Sequence, residues 1–369
     1  MKTGILTVHQ SVNCGASLQA AALYSVLSDM AANPEIIDYR PEYFVGETDG
    51  YWKKKGIKSA IKRSLFNKRL SLTQDKFDEF IKQYMPNITN RVNTPEELKS
   101  AKFDYEAIVC GSDQIWNPPH VQFDESWFLN FADNKTRRVS YAASIGKDVL
   151  TDEELHWIKA GISAMDCVGV RELAAKQLIE NLGFEARLCL DPTLLLPADR
   201  WKSMEKAPND ELPREYIFYY PLNSNPEIEE KMLGLLKKRT GLPVVAMSDG
   251  LRWLKHADMV LRGFGPDEFL YLMNHSSFVY TNSFHGLAFS IIFDKDLVSF
   301  KNKTKNSRLE SLCKISGLKN YQVLDARELE SKDWDDRFQL MRGAYGRLSQ
   351  IRESSLEYLY RSLCIKPRG

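Results

Sequence analysis

The segment from Phe278 to Phe289 has the residue types of an anion-binding turn. A run of aromatic and β-branched residues predicts a buried strand that ends at Asn282, and Ser283 is a favourable N-cap for a helix that begins at His285. The first turn of a helix presents unpaired backbone N–H groups and the positive end of the helix dipole. The sequence therefore predicts an anion site at this strand-to-helix turn.

His285 and Gly286 extend that site toward chemistry. A histidine beside a bound anion could deliver a proton near neutral pH, and a glycine next to it lets a ligand approach the backbone closely. A lone histidine can instead form a structural hydrogen bond to a neighbouring loop. The position of His285 at the carboxyl end of a predicted strand favours the functional interpretation.

Arg171 stands at the end of another predicted strand, Cys167–Val170, and precedes a helix that starts at Glu172. The planar guanidinium can hold a carboxylate or a phosphate through two hydrogen bonds. A local ion pair between Arg171 and Glu172 is the alternative. The spacing alone does not decide between the two.

The loop from Gly111 to Pro118 combines residue types that suit a sugar, because small residues, a carboxylate, an amide and an indole ring follow a predicted strand. Trp116 could stack on a pyranose face, and Asp113 could act as a general base or as a residue that forms the turn. With the earlier loop around Asn13, these residues form the predicted acceptor side. The residues assigned to acceptor binding are Asn13, Gly111, Ser112, Asp113, Gln114 and Trp116.

Short apolar runs alternate with helical patterns along the chain, which predicts parallel sheets flanked by helices. The predicted strands are Thr3–Val8, Glu35–Tyr39, Tyr105–Cys110, Arg138–Ala143, Cys167–Val170, Arg187–Leu190, Tyr216–Tyr220, Val244–Met247, Met259–Leu261, Phe278–Thr281 and Leu297–Phe300. The predicted helices are Ala16–Met30, Thr151–Ala164, Glu172–Leu182, Asn225–Lys238, Pro266–Asn274, His285–Phe293 and a last one over 338–363.

The fold class we predict is α/β, with two Rossmann-like domains that face a cleft, an architecture that resembles the GT-B fold. Residues 1–195 form the predicted acceptor-side domain and residues 196–337 the donor-side domain. A proline-rich stretch between Asp191 and Arg214 suits the connection between them. The helix over 338–363 is expected to pack back on the first domain.

The composition is that of an ordinary globular protein. Fifty Lys and Arg residues balance 49 Asp and Glu residues, which argues against a nucleic-acid binder. The six cysteines include no Cys-x-x-Cys pair and are expected to be buried free thiols in a reducing compartment. No export signal or membrane-spanning run is apparent, and a cytoplasmic location is expected.

The usual cofactor fingerprints are missing from the sequence. There is no G-x-G-x-x-G turn and no Walker-type phosphate loop, so a nicotinamide or flavin cofactor is not expected. The histidines are dispersed and no Asp-x-Asp pair suggests a magnesium clamp, so no metal is expected either.

One stretch departs from the neutral average. Residues 53–69 carry eight Lys and Arg residues without an acid, with Ile57, Ile61 and Leu65 at helical spacing. A solvated insertion whose apolar stripe packs on the first domain is the favoured interpretation, because charge runs are usually solvated faces. A basic amphipathic helix of this kind can also lie on an anionic membrane, so peripheral contact with the inner membrane surface is the second interpretation.

Several short strings, in their order and spacing, make the chain resemble the polysaccharide pyruvyl transferase family over nearly its whole length. These strings are 13–20, 37–41, 111–118, 141–146, 170–172, 190–195 and 281–286. Gly169 departs from the pattern, because related sequences often have a serine before Val-Arg-Glu. That puts a hydroxyl contact there in doubt, but not Arg171.

The resemblance implies transfer of a pyruvyl group from phosphoenolpyruvate to two hydroxyls of a sugar, which gives a cyclic ketal and phosphate. The sugar would belong to a bacterial-type surface glycan or its lipid-linked precursor, and phosphoenolpyruvate would be a co-substrate with no further cofactor. The donor-binding arginine and histidine of the family map onto Arg171 and His285. We hypothesise that His285 is the acid and Asp113 the base.

The donor contacts predicted on this basis are Arg171, Asn282, Ser283, Phe284, His285, Gly286, Asn306 and Arg308. For Asn306 and Arg308, an N-cap followed by a solvated arginine is an equally good interpretation. Substitution of His285 or Arg171 by alanine is expected to leave the fold intact and to remove most turnover.

Other functions stay open at this point. A GT-B glycosyltransferase that uses a nucleotide sugar is the nearest rival, because fold does not determine function. A membrane-associated scaffold without catalytic activity, built around residues 53–69, belongs to a different class. Coenzyme reduction has little support without a cofactor fingerprint. The acceptor sugar and the oligomeric state are not readable from the sequence.

Overall fold

A computed structural model describes residues 1–45, 59–147, 149–222, 226–248, 254–299, 307–318 and 341–365. The chain divides into two compact units. The first unit comprises residues 1–59, 78–195 and 350–369, and the second unit comprises residues 60–77 and 196–349. Each unit is built on one parallel sheet.

Sheet A of the first unit has six strands in the order β2-β1-β3-β4-β5-β6, all parallel. Two of the inner strands are buried at every residue, as expected for strands covered on both faces. Their bounds are β1 Thr3–Leu6, β2 Pro34–Ile36, β3 Ala107–Cys110, β4 Arg137–Ala143, β5 Cys167–Val170 and β6 Arg187–Leu188.

The helices associated with the first unit begin at recognisable caps. Asn13 caps the first helix, and Thr151 and Glu154 form a reciprocal capping box on a later one. The helices are α1 Cys14–Asp29, α2 Glu42–Val45, α3 Ser59–Tyr84, α4 Pro95–Ser100, α5 Asp152–Ile162 and α6 Leu173–Asn181. Residues 60–77 of α3 are counted with the second unit.

Sheet B of the second unit has five parallel strands in the order β11-β10-β7-β8-β9. Its inner strands are fully buried. The bounds are β7 Ile217–Tyr220, β8 Val244–Met247, β9 Met259–Leu261, β10 Phe278–Thr281 and β11 Asp296–Ser299.

The helices from residue 198 onward belong to the second unit, except the last one, which belongs to the first unit from residue 350 on. They are α7 Ala198–Lys202, α8 Pro226–Thr240, α9 Pro266–His275, α10 Phe284–Ile292, α11 Ser307–Ile315, α12 Ala344–Arg347 and α13 Ser349–Ser362. Within the second unit, Lys76 of α3 donates to both carboxylate oxygens of Glu268 in α9, at 2.7 and 2.8 Å. This ion pair attaches the 60–77 segment to α9.

The strand order creates one topological switch point in each sheet. In sheet A, the connections after β1 and after β3 leave in opposite directions, and in sheet B the same holds for β7 and β10. Ligands of open α/β sheets bind outside the carboxyl ends of the strands at such points. The carboxyl edges of the two sheets are therefore where functional side chains are expected.

The predicted α/β fold class of two Rossmann-like domains is confirmed, and every predicted strand is present with bounds shifted by a few residues at most. Residues 60–77 belong to the second unit and not to the domain predicted over residues 1–195. Where the structure describes the helix expected over 338–363, from residue 341 on, it contains α12 and α13 with Leu348 between them. Within the described ranges, no helix combines the length and apolar character that crossing a bilayer requires.

The cysteines only partly match their prediction. All six are free, but Cys167 is half-buried and Cys364 is exposed. Burial raises the pKa of the Cys189 thiol to about 12, which keeps that sulfur protonated and unreactive at neutral pH.

Candidate functional site

The turn between β10 and α10, at the carboxyl edge of sheet B, has the local geometry that the sequence predicts. Ser283 is the N-cap, its hydroxyl accepts from the backbone N–H of Gly286 at 3.3 Å, and its carbonyl accepts from Leu287 at 3.1 Å. Its own N–H donates to the Thr281 hydroxyl at 3.0 Å. The turn is thus held by its own side chains, with the amino end of α10 at the edge of the sheet.

Asn282 connects this turn to the switch point of sheet B. Its Oδ1 accepts from the backbone N–H of Leu222, just beyond β7, at 2.8 Å. A backbone N–H can only donate, so this bond identifies Oδ1 and Nδ2 of the amide. The Nδ2 group is buried and has no hydrogen-bond partner within the described part of the chain.

His285 lies in the first turn of α10 and is 6% exposed. Its ring meets that of Phe284 edge to face, with centroids 5.2 Å apart. Gly286 packs directly on β10, since a Cβ there would lie 2.5 Å from Cγ2 of Thr281. The absence of a side chain at Gly286 therefore permits close packing of the helix on the strand rather than close approach of a ligand.

Arg171, at the carboxyl end of β5, is the centre of a buried ion-pair cluster in the first unit. Its Nη1 donates to Asp191 at 2.6 Å and lies 3.4 Å from the Ser112 hydroxyl. Its Nε lies 3.4 Å from Glu172, and its Nη2 lies 3.9 Å from Asp113. The local pair with Glu172, which the sequence offered as the alternative, therefore exists, but it is buried rather than on the surface.

The electrostatics of this cluster keep Arg171 charged. Burial by itself would lower the pKa of its guanidinium, but the charges of Asp191, Glu172 and Asp113 outweigh burial and raise that pKa. Three carboxylates around one guanidinium leave the cluster with a net negative charge. Such a cluster orients its own loops and accepts hydroxyl donors better than it receives a further anion.

Asp191 accepts hydrogen bonds from several members of this cluster. Beside Arg171, it accepts from the Ser112 hydroxyl at 3.1 Å and from the backbone and hydroxyl of Thr193 at 3.1 and 2.7 Å. No role for Asp191 was predicted from the sequence. The one signal for such a role was its position directly before Pro192, just after the end of a predicted strand.

The predicted acceptor loop begins at Gly111, which has a φ of 116° and packs against the carbonyl of Tyr141. Ser112 is wholly buried and Asp113 is half-buried with a positive φ of 71°. The Oδ1 of Asp113 accepts from Gln114 N–H at 2.8 Å, while Gln114 accepts from Asn117 at 3.1 Å. The turn-forming interpretation of Asp113 is thus realised, and its carboxylate also faces Arg171.

Two predicted acceptor contacts have structural roles instead. Trp116 is fully buried, its indole donates to the Trp127 carbonyl at 3.2 Å, and its ring stacks on Phe128. It therefore offers no ring face to a sugar, because an apolar ring after a buried strand packs into the core. Asn13 caps α1 by accepting from Gly15 at 3.0 Å and Ala16 at 3.4 Å.

A second polar group at the carboxyl edge of sheet A was not predicted. The buried ring of His9 contacts the Thr7 carbonyl and Asp38 Oδ1, both at 3.0 Å. Arg40 donates to both oxygens of Asp38, at 2.5 and 2.8 Å. Burial raises the pKa of the Asp38 carboxyl, but the hydrogen bonds from His9 and Arg40 outweigh it and hold that pKa below its usual value.

The structure thus groups the predicted residues by unit. Arg171, Ser112 and Asp113 belong to one cluster in the first unit, and Asn282 to Gly286 form one turn in the second. Arg308 lies in the first turn of α11 and is half-buried, whereas Asn306 falls outside the described residues. In the described ranges, no group of three or more His, Cys, Asp or Glu side chains could hold a metal ion.

Comparison with known proteins adds a family and a fold. A family model described as polysaccharide pyruvyl transferase matches residues 13–304, which is most of the chain. This stretch contains the clusters described above, except Thr7 and His9, which follow β1, and the single residue Arg308. No curated protein sequence matches the chain.

Solved structures resemble the chain over almost its full length at low identity. UDP-GlcNAc 2-epimerase from Neisseria meningitidis bound to UDP-GlcNAc has a TM-score of 0.57 at 12% identity, covering 98% of this chain and 100% of that one. Anabaena HepE in complex with UDP has a TM-score of 0.59 at 9% identity, covering 99% and 100%. UDP-GlcNAc 2-epimerase from Methanocaldococcus jannaschii has a TM-score of 0.55 at 12% identity, covering 94% of this chain and 92% of that one. At these identities the likeness concerns the GT-B-like fold alone.

Proposed function

Because the chain belongs to the polysaccharide pyruvyl transferase family, we propose that it transfers the pyruvyl group of phosphoenolpyruvate to two hydroxyls of a sugar. The products are a cyclic ketal and inorganic phosphate. The observation that carries the donor assignment is the β10–α10 turn, where a capped helix start, a buried histidine and a buried amide N–H group adjoin one another.

Phosphoenolpyruvate suits that turn because it is small and multiply anionic. The amino end of α10 supplies a positive dipole, and Asn282 supplies an N–H group that needs an acceptor. Oxygens of a phosphate or a carboxylate are strong acceptors for such donors. The donor-binding residues of this proposal are Asn282 to Gly286, with Arg308 as a further contact.

His285 is the proposed acid. Protonation of the methylene carbon of phosphoenolpyruvate by the imidazolium forms a methyl group and leaves positive charge on the adjacent carbon, which a sugar hydroxyl attacks. A second hydroxyl of the same sugar then displaces phosphate. Each hydroxyl loses its proton, one to a base that restores the acid and one to the departing phosphate, so that atoms and charge balance.

Asp113 is the proposed base, with Arg171 as the residue that positions it. Arg171 lies 3.9 Å from the Asp113 carboxylate and is itself held by Asp191. We propose no donor contact for Arg171, because three carboxylates already surround its guanidinium. The positioning role requires a guanidinium fixed in one orientation, which the short contact with Asp191 provides.

The acceptor is proposed to be a sugar of a surface glycan or its lipid-linked precursor. We place the reaction at the cytoplasmic face of the inner membrane, with the basic stretch 53–69 as the segment that contacts anionic lipid. These assignments derive from the family and from the charge of that stretch, of which residues 53–58 lie outside the described part of the chain.

Thermal denaturation with phosphoenolpyruvate, beside UDP- and GDP-sugars, tests the donor. A ligand that binds only the folded state raises the melting temperature. Phosphoenolpyruvate is expected to stabilise the protein and nucleotide sugars are not. Stabilisation by a nucleotide sugar alone would contradict pyruvyl transfer and identify a glycosyltransferase.

Turnover of the His285→Ala variant tests the acid. General acid catalysis typically contributes a factor of about 100 to 10,000. Phosphate release with an active sugar acceptor should therefore fall at least about 100-fold, while the melting temperature stays close to that of the wild type. His256→Ala, a change at a half-buried histidine away from the turn, is the matched control and should retain activity.

A further inference from the structure

Ser299 is a buried polar residue that none of the roles above uses. It is the last residue of β11, at the carboxyl edge of sheet B, and its side chain is fully buried. Its hydroxyl has no hydrogen-bond partner in the part of the chain that the structure describes. Buried hydroxyls in native folds are nearly always hydrogen-bonded, so an unused one at a strand end calls for an explanation.

The register of the sheet shows which way this hydroxyl faces. Ser299 is the Cα partner of Thr281 on the neighbouring strand β10. Paired residues of parallel strands present their side chains on the same face of the sheet. The Thr281 side chain lies against Gly286 in the first turn of α10, so Ser299 is on the face that carries the amino end of this helix.

The contrast with Thr281 strengthens the point. The Thr281 hydroxyl donates to the Tyr220 carbonyl at 2.6 Å and accepts from Ser283 N–H at 3.0 Å. Its hydrogen-bonding capacity is used by the fold itself. The hydroxyl of Ser299 is at the same level of the same face and has no hydrogen-bond partner among the described residues.

Asn282 supplies a second donor on the other side of the β10 end. Its Oδ1 is held by Leu222, beyond β7, and its buried Nδ2 lacks a partner in the described residues. The strand β10 lies between β7 and β11 in the sheet. Two buried hydrogen-bond donors therefore lie at the end of β10, Ser299 on the neighbouring strand β11 and Asn282, which is bonded to Leu222 just beyond the end of β7.

We propose that Ser299 is a donor-binding residue whose hydroxyl donates to an oxyanion of phosphoenolpyruvate, with Asn282 bound to the other anionic group. This assignment rests on the proposed function. Two donors on opposite sides of one strand end suit a ligand with two separate oxyanionic groups, such as a phosphate and a carboxylate. A single monovalent anion would leave one of them unused.

Calorimetric titration of Ser299→Ala with phosphoenolpyruvate tests the proposal. Loss of one hydrogen bond to a charged group is expected to raise the Kd about 10- to 100-fold. Ser290→Ala is the matched control, because that serine is also buried but its hydroxyl donates to the Gly286 carbonyl of its own helix at 2.8 Å. The control should bind phosphoenolpyruvate as the wild type does.

A pair of variants with nearly equal volume guards against a folding artefact. Ser299→Thr keeps the hydroxyl and Ser299→Val removes it, and both residues are favourable in strands. The Kd of the valine variant for phosphoenolpyruvate is expected to be about 10- to 100-fold higher than that of the threonine variant. This is the effect expected from the loss of one hydrogen bond to a charged group. Titrations with phosphate and with pyruvate then show which anionic group loses affinity, and a loss for either supports the assignment.

The outcomes separate this assignment from the proposed function. Wild-type protein that binds phosphoenolpyruvate, with alanine and valine variants that bind it equally well, overturns the role of Ser299 alone. Wild-type protein that binds none of the three ligands overturns the proposed function, and the role of Ser299 with it.

Discussion

At the scale of single residues, Arg171 is a charged side chain in a buried position, where its guanidinium is held by Asp191. The cost of removing it is therefore structural as well as functional. Removal of one partner from a buried ion pair leaves an uncompensated charge in a low-dielectric environment.

Arg171→Ala is consequently expected to destabilise the protein by about 3–5 kcal/mol, contrary to the intact fold expected from the sequence. The reason is that Asp191 and Glu172 would both lose their cationic partner. Urea denaturation measures the change. Arg361→Ala, which removes a solvent-exposed pair with Glu357, is the control and should have little effect.

A double variant checks the physical reason. Arg171→Met combined with Asp191→Asn removes both charges of the pair, so its cost should be smaller than the sum of the two single changes. Strict additivity of the two single costs would show that Arg171 and Asp191 do not interact energetically.

Asp38 gives a prediction for pH. Its pKa is lowered in the folded protein by hydrogen bonds from His9 and Arg40 that outweigh burial. A lowered carboxyl pKa stabilises the fold above the unfolded pKa, and this contribution is lost as the pH falls through the folded value. The pH range over which this contribution to stability is lost therefore lies below about pH 4.

The Asp38→Asn variant should accordingly be less stable than the wild type at pH 7 by about 1–3 kcal/mol. The difference should shrink as the pH is lowered through that window, because the wild-type carboxyl becomes protonated. Free energies of unfolding at a series of pH values measure this. A difference that is constant from pH 7 to pH 3 would contradict the assignment.

At the scale of elements, the position of α10 is decided by the contact between Gly286 and Thr281. A Cβ at residue 286 would lie 2.5 Å from Cγ2 and 2.8 Å from Oγ1 of Thr281, closer than real Cβ contacts allow. Thr281 cannot rotate away freely, because its hydroxyl bonds both Tyr220 and Ser283. The helix start and the strand end thus form one interlocked unit.

Gly286→Ala should therefore destabilise the protein by about 1–3 kcal/mol, as overpacked sites do. It should also weaken phosphoenolpyruvate binding, since the first turn of α10 must shift away from the sheet. Gly346→Ala in α12 is the control, because no atom lies within 4 Å of its added Cβ and alanine favours a helix. Thermal denaturation and calorimetric titration of the two variants measure the effects.

At the scale of the whole molecule, two parallel sheets each place polar side chains at the carboxyl edge. His9, Ser112 and Arg171 follow strands of sheet A, and Asn282 and Ser299 are at the ends of strands of sheet B. Parallel strands bring their carboxyl ends to one edge whatever the sequence distance between them. Each sheet thus brings together, at its own carboxyl edge, residues that are far apart in the chain.

The charge pattern of the chain gives a prediction at this scale. The stretch 53–69 carries eight basic residues in a protein whose formal net charge is +1. The protein should co-sediment with phosphatidylglycerol vesicles at low salt and dissociate as salt screens the attraction. A variant with Lys53, Lys54 and Lys55 replaced by glutamine should bind more weakly, at about 1 kcal/mol per removed charge.

Phosphatidylcholine vesicles are the control for this experiment, because they carry no net charge. Equal binding of the protein to both kinds of vesicle, or equal binding of the wild type and the glutamine variant, would argue against electrostatic contact through these lysines.

The sequence by itself determined the elements and the family. The strands and the cap at Ser283 were predictable because apolar periodicity and capping depend on neighbouring residues. The motif order from residue 13 to residue 286 carried the resemblance to the pyruvyl transferases, which the family model confirms. These features need no knowledge of distant contacts.

Only the tertiary structure decided which side chains are used by the fold and which are not. Trp116 is similar in type to a sugar-binding aromatic, but it packs in the core, and Asp191 reaches Arg171 across twenty positions of sequence. Ser299 and Asn282 stand out only when their neighbours are known. Burial and hydrogen-bond satisfaction are properties of the packed chain, so local sequence patterns do not contain them.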